Sequence, residues 1–107
     1  MTNSEAQKLL SHHRQSIDNV DAALINILAE RFRCTEQVGR LKAQYDLPAR
    51  DEERERLQLA RLRAIAGNAG LDTGFAEEFF SFLVAKVVEK HTAIAMGGRA
   101  AEPNKSD

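Results

Sequence analysis

Tryptophan is absent from the 107 residues, cysteine occurs once and proline twice. The single thiol, Cys34, excludes an internal disulfide framework and a multi-cysteine zinc site. No apolar run approaches the roughly 18 residues that cross a bilayer. The opening MTNSEAQKLL lacks the basic start and apolar block of a secretory signal. Neither sign of charge dominates: 15 basic residues face 16 acidic ones, which argues against a general nucleic-acid or anionic-membrane binder. There is no glycine-rich phosphate loop, and no Ser-His-Asp or Cys-His set has sequence support. His12 and His13 point in different directions on a helix, and no acid or cysteine stands at ligand spacing, so no metal site is expected. At 43% apolar and 29% charged, the composition is that of one small globular domain, expected in the cytoplasm.

The few helix breakers divide the chain. Pro48, in Tyr45-Asp46-Leu47-Pro48-Ala49, should end a helix, and Gly67-Asn68-Ala69-Gly70 reads as a stop and turn. Asp72 is placed to N-cap the segment that follows. Between these marks lie stretches rich in Ala, Leu, Glu, Arg and Gln, with no period-two alternation. The expectation is an all-α fold of three helices, at about residues 6–44, 50–66 and 72–96. A domain over 1–96 would be followed by a disordered tail, 97–107.

The first helix carries an apolar seam. In a heptad frame Leu10, Ile17, Leu24, Arg31 and Val38 take the a positions, and His13, Val20, Ile27, Cys34 and Leu41 the d positions. Residues 12–43 alone would make a helix about 48 Å long. A compact monomer of this size is only about 34 Å across. Part of the seam would stay wet without a partner, so a homodimer centred on this helix is expected.

Arg31 interrupts the seam, and an unpaired buried guanidinium is costly. Three readings are open: it reaches out to solvent, it pairs with Glu30, Glu52 or Glu55, or it lines a cavity for an anion. Arg14 and Lys42 flank the same seam, either as solubilising charges or as the border of one groove. The run Arg50-Asp51-Glu52-Glu53-Arg54-Glu55-Arg56 reads as a solvated face with i,i+4 ion pairs. Within it Asp51, Glu55 and Arg54 equally suit a hydroxylated anion. The third helix has an inner stripe of Ala76, Phe80, Leu83, Val87, His91 and Ile94, widened by Phe75, Phe79, Phe82, Val84 and Val88. His91 is its polar interruption, either a satisfied core residue or a donor into a pocket.

Arg14, Val20-Asp21, Leu28-Ala29-Glu30-Arg31 and Val38-Gly39-Arg40-Leu41-Lys42, in that order, resemble the first helix of the all-helical (AroQ-type) chorismate mutases. Pro48-Ala49-Arg50-Asp51-Glu52-Glu53-Arg54-Glu55 resembles the start of that family's second helix. The likeness runs from about Leu9 to Ile94. It implies an intertwined helical homodimer with two active sites, each receiving an arginine from the other subunit.

The resemblance also implies a rearrangement that requires no cofactor, and it implies roles. Arg31, with Arg14 of the second chain, would bind the two carboxylates of chorismate. Lys42 would donate to the ether oxygen, Glu55 with Asp51 would hold the ring hydroxyl, and Arg54 would complete the cationic end. Relatives often carry serine where this chain has Val87, and Gln or Glu, a second ether-oxygen donor, where it has His91. Those departures keep an isochorismate–pyruvate lyase, which forms salicylate, in view as the alternative. A non-catalytic helical dimer is a third reading. A larger synthase partner docking on the C-terminal segment is a further expectation drawn from some small members of the family.

Overall fold

The computed structural model describes residues 1–101, with side chains through residue 97. The chain is all-α: α1 spans Asn3–Gln44, α2 Glu52–Ala69 and α3 Thr73–Ala101, with no strand among the described residues. It divides into two compact units, Met1–Cys34 and Thr35–Asp107.

α1 begins three residues before the expected boundary because of a capping box. The Glu5 N–H donates to Thr2 Oγ1 at 3.1 Å and the Thr2 N–H to Glu5 Oε1 at 2.8 Å. α1 stops before Pro48 is reached. Asp46 adopts φ 59°, the Leu47 N–H returns to the Lys42 carbonyl at 2.8 Å and the Asp46 N–H to Ala43 at 3.4 Å. That pairing closes the helix as a Schellman motif does, with an aspartate in the left-handed position usually held by glycine.

α2 starts two residues late, because Asp51 is its N-cap and accepts the Arg54 N–H at 3.0 Å. Gly67 is absorbed into the helix. Gly70, at φ 77°, is the residue that ends it, with Leu71 N–H on the Ala66 carbonyl. The Asp72 cap is present as expected, its Oδ2 accepting the Phe75 N–H at 2.8 Å. α3 passes the expected end at 96, although Gly97 breaks its helical dihedrals. Of the tail expected at 97–107, residues 102–107 lie outside the described residues.

In the first unit the α1 seam faces water: Leu10, Ile17, Val20, Leu24 and Ile27 are all exposed. In the second unit α2 packs on α3. Its buried residues are Gly39, Ala66, Phe80, Leu83 and His91. The inner stripe of α3 is as expected, with Ala76, Val87 and Ile94 half-buried beside the buried Phe80, Leu83 and His91. The widening is narrower than expected. Val84 and Val88 are half-buried, but Phe75, Phe79 and Phe82 are exposed. α2 and the last turns of α1 cover one stripe of the α3 cylinder, and these three rings lie at i, i+4 and i+7 outside it. The Phe75 and Phe79 rings stack at 6.4 Å, and Lys86 Nζ lies 5.6 Å from the Phe82 centroid.

Candidate active site

Two of the site residues expected from sequence, Arg14 and Arg31, belong to the first unit. Arg14 is exposed on α1. Arg31 is half-buried, and its Nη1 is shielded from solvent without a hydrogen-bond partner. Of the acids offered to it from sequence, Glu30 is held by Arg33 Nε at 2.9 Å and by the more distant Cys34 thiol at 3.8 Å. Glu55 and Glu52 are engaged by Arg50, at 2.8 and 3.9 Å.

The second unit holds Lys42, Asp51, Arg54, Glu55, Val87 and His91. Lys42 is half-buried on the last turn of α1, and its Nζ donates to the Ala49 carbonyl at 3.2 Å. This bond draws the connection that follows the Asp46 turn back over the lysine. A cleft of about 560 Å³ lies there, lined by Lys42, Leu47, Pro48, Arg50, Asp51 and Glu52. The structure thus brings Lys42 and Asp51 together. One oxygen of Asp51 is committed to the N-cap, and Arg54 is exposed.

Glu55 lines a second cleft of about 360 Å³, with Arg50 and Arg56 at its polar end and Phe80, Val84 and Ala85 of α3 on its apolar wall. Its side chain is 18% exposed, and Oε1 accepts from Arg50 Nη2 at 2.8 Å. The ion pairs around the charged run of α2 are not at the expected i,i+4 spacing. Arg56 pairs with Glu53 three residues back, and Arg50 reaches over the N-cap to Glu55, because Arg50 precedes the helix and lies off its periodic face.

His91 lines neither cleft. It is 4% exposed, and its Nε2 lies 2.7 Å from the Thr35 carbonyl of α1. A carbonyl only accepts, so Nε2 carries the proton and donates. Nδ1 is buried with no partner. The ring lies so close to α1 that a Cβ on Gly39 would stand 2.5 Å from His91 Cδ2 and 3.1 Å from Ile94 Cδ1. Val87 is half-buried and brings no polar group.

Three contributors were not singled out from sequence. Thr35 acts through its backbone, which side-chain chemistry does not reveal. Gly39 stood in a family motif without a role; the signal that points to it is a glycine inside an otherwise strong helix, which costs about 1 kcal/mol against alanine and asks for a packing reason. Arg50 was hidden in a run of alternating charge. Among the described residues no three His, Cys, Asp or Glu side chains gather as a metal site, and no helix is long and apolar enough to cross a membrane.

Comparison with known proteins gives this geometry a family. Over 75 residues the chain is 28% identical to a chorismate mutase of Methanocaldococcus jannaschii, covering 70% of this chain and 76% of that protein. It is 38% identical over 65 residues to the T-protein of Enterobacter agglomerans, covering 61% of this chain but 17% of the longer protein. A bifunctional chorismate mutase/prephenate dehydratase of Buchnera aphidicola is 27% identical over 75 residues, and the match spans 20% of its length. The family model for chorismate mutase type II matches residues 13–92, a span that contains every candidate site residue from Arg14 to His91. The chain belongs to the chorismate mutase type II family.

Proposed function

We propose that this chain catalyses the Claisen rearrangement of chorismate to prephenate, a step toward phenylalanine and tyrosine. The observation that carries the reading is Arg31, a guanidinium whose Nη1 is shielded from water with no protein acceptor. Leaving a buried donor unmade costs about 1–3 kcal/mol, and more when it is charged. A carboxylate arriving from solution removes that cost, and arginine is the side chain suited to grip it by paired hydrogen bonds.

The rearrangement is unimolecular and needs neither a nucleophile nor an obligatory proton transfer. What it needs is a dianion held in a compact, chair-like conformer and a donor for charge building on the ether oxygen. Arg31, with Arg14 of a second copy, clamps the carboxylates. Lys42 Nζ has three N–H groups and commits one to Ala49, which leaves two for the ether oxygen. Glu55 and Asp51 each retain an oxygen beyond their protein bond for the ring hydroxyl, and Arg54 adds positive charge at that end. Val87 gives the substrate only an apolar contact. His91 keeps its Nε2 proton on Thr35, so a neutral ring offers Nδ1 as an acceptor. Donation from His91 to the ether oxygen belongs to the imidazolium form, and Lys42 is the principal donor. These preorganised cations act more strongly on the transition state than on the ground state. Even the low end of enzymatic acceleration asks for about 8 kcal/mol, shared here between orientation and charge.

The catalytic unit in this reading is a homodimer. The exposed seam Leu10, Ile17, Val20, Leu24 and Ile27 on α1 and the exposed Phe75, Phe79 and Phe82 on α3 support it. Two long apolar stripes in water are a penalty that a second copy of the chain relieves. Sedimentation of the purified protein at micromolar concentration should give a dimer, and a clean monomer would remove Arg14 from the scheme.

The deciding experiment offers chorismate and isochorismate in parallel to the folded protein. Prephenate formation well above buffer is expected. Faster release of salicylate from isochorismate would make the chain a lyase, a reading favoured by the two hydrogen bonds that Val87 and the Thr35-bound His91 do not supply. No turnover of either by well-folded protein would leave a non-catalytic helical module.

A further inference from the structure

We infer that Arg50 is a positioning residue that aims Glu55 at the substrate's ring hydroxyl, and so governs selection for a hydroxylated ring. The inference deepens the proposed function and rests on Glu55 as the hydroxyl acceptor. Arg50 is the only residue shared by the linings of the two clefts described above, one holding Lys42 and Asp51, the other holding Glu55. Its Nη2 donates to Glu55 Oε1 at 2.8 Å, while its Nε lies 3.9 Å from Glu52 Oε2. The contact is local, from the residue before the N-cap to the first turn of α2, so it fixes a side chain and not the packing of helices.

Two physical consequences follow. A glutamate on its own loses rotamer freedom when it is fixed, and a charge-assisted bond to one oxygen makes that loss before the substrate arrives. The other oxygen, Oε2, is then presented as an acceptor. The second consequence is electrostatic. Asp51, Glu52, Glu53 and Glu55 crowd the start of α2, where a doubly negative substrate must approach acids. Arg50 offsets the charge of Glu55 without removing its ability to accept.

The partners differ in exposure: the Glu55 side chain is 18% exposed and that of Arg50 57%. A pair open to water on its cationic side adds little to global stability, so removing Arg50 perturbs the aim of Glu55 far more than the fold. A role confined to stability would lower turnover of every substrate alike.

The test compares kcat/KM for chorismate with that for the analogue in which hydrogen replaces the ring hydroxyl. The full chain is used, as wild type, Arg50→Gln, Arg50→Lys and Glu55→Ala, which removes the acceptor. In wild type chorismate is favoured, and Glu55→Ala collapses the preference. Arg50→Gln is expected to lower the preference on the order of tenfold, the scale of one hydrogen bond to a charged group, and Arg50→Lys to restore part of it. An unchanged preference in Arg50→Gln, with Glu55→Ala collapsed, overturns the inference while leaving the proposed function standing. An unchanged preference in Glu55→Ala overturns it through the role of Glu55. Absence of chorismate turnover by folded wild type removes the function itself, and the inference with it.

Discussion

Gly39→Ala should destabilise this protein, although the same substitution ordinarily strengthens a helix. Intrinsic propensity alone favours alanine by about 1 kcal/mol. The new Cβ would stand 2.5 Å from His91 Cδ2 and 3.0 Å from Nε2, where carbon atoms pack at about 3.5–4.0 Å. Relief requires a shift of nearly 1 Å. The ring cannot move outward freely, being 4% exposed and held to Thr35 by the 2.7 Å bond. Overpacking of this kind costs about 1–3 kcal/mol, and loss of the buried hydrogen bond adds about 1–3 kcal/mol if the ring gives way. After the propensity gain is subtracted, the net loss is about 0–2 kcal/mol with the ring in place and about 1–5 kcal/mol when the bond breaks. Gly67→Ala is the internal control, since a Cβ there meets nothing within 4 Å and α2 should gain about 0.5–1 kcal/mol. Urea unfolding followed by circular dichroism, at one protein concentration for all variants, measures both. The double variant Gly39→Ala/His91→Ala should be non-additive, because removing the ring vacates the space the methyl needs. If Gly39→Ala proves as stabilising as Gly67→Ala, the notch between α1 and His91 does not exist in solution.

Other consequences are as accessible. Arg31→Leu should keep or raise the melting temperature, since it exchanges an unsatisfied buried donor for apolar packing, while turnover falls at least ~100-fold. A bicyclic dicarboxylate analogue of the transition state should then raise the melting temperature of wild type and leave that of Arg31→Leu unmoved. Lys42→Ala should abolish most turnover with helix content intact, read by chorismate consumption beside circular dichroism. Asp46→Gly should stabilise by up to about 1 kcal/mol in the same urea titration, because φ 59° strains any residue with a Cβ. Long-range proton–nitrogen spectra should show neutral His91 protonated at Nε2. A ring protonated at Nδ1 alone would contradict the bond to Thr35.

Local chemistry was legible before the fold was known. The three helices, the Asp72 cap, the inner stripe of α3 and the order of the family motifs are all written in residue type and spacing over a few turns. Helix ends were legible only in part. The left-handed Asp46 and the Thr2–Glu5 box stop and start α1 through dihedrals and reciprocal bonds that residue type suggests without specifying. The ion pair of Arg50 was obscured for a similar reason. Helix periodicity does not govern a residue that stands before the N-cap.

The sequence by itself determined the all-α class, the apolar stripes and the placing of cations along the α1 seam, because hydrophobic period and charge are properties of neighbours along the chain. Only the tertiary structure decided that His91 donates to a carbonyl 56 residues away and that Gly39 is the residue making room for it. Those are contacts of a few ångströms whose partners depend on how backbones approach, and no local pattern encodes that distance.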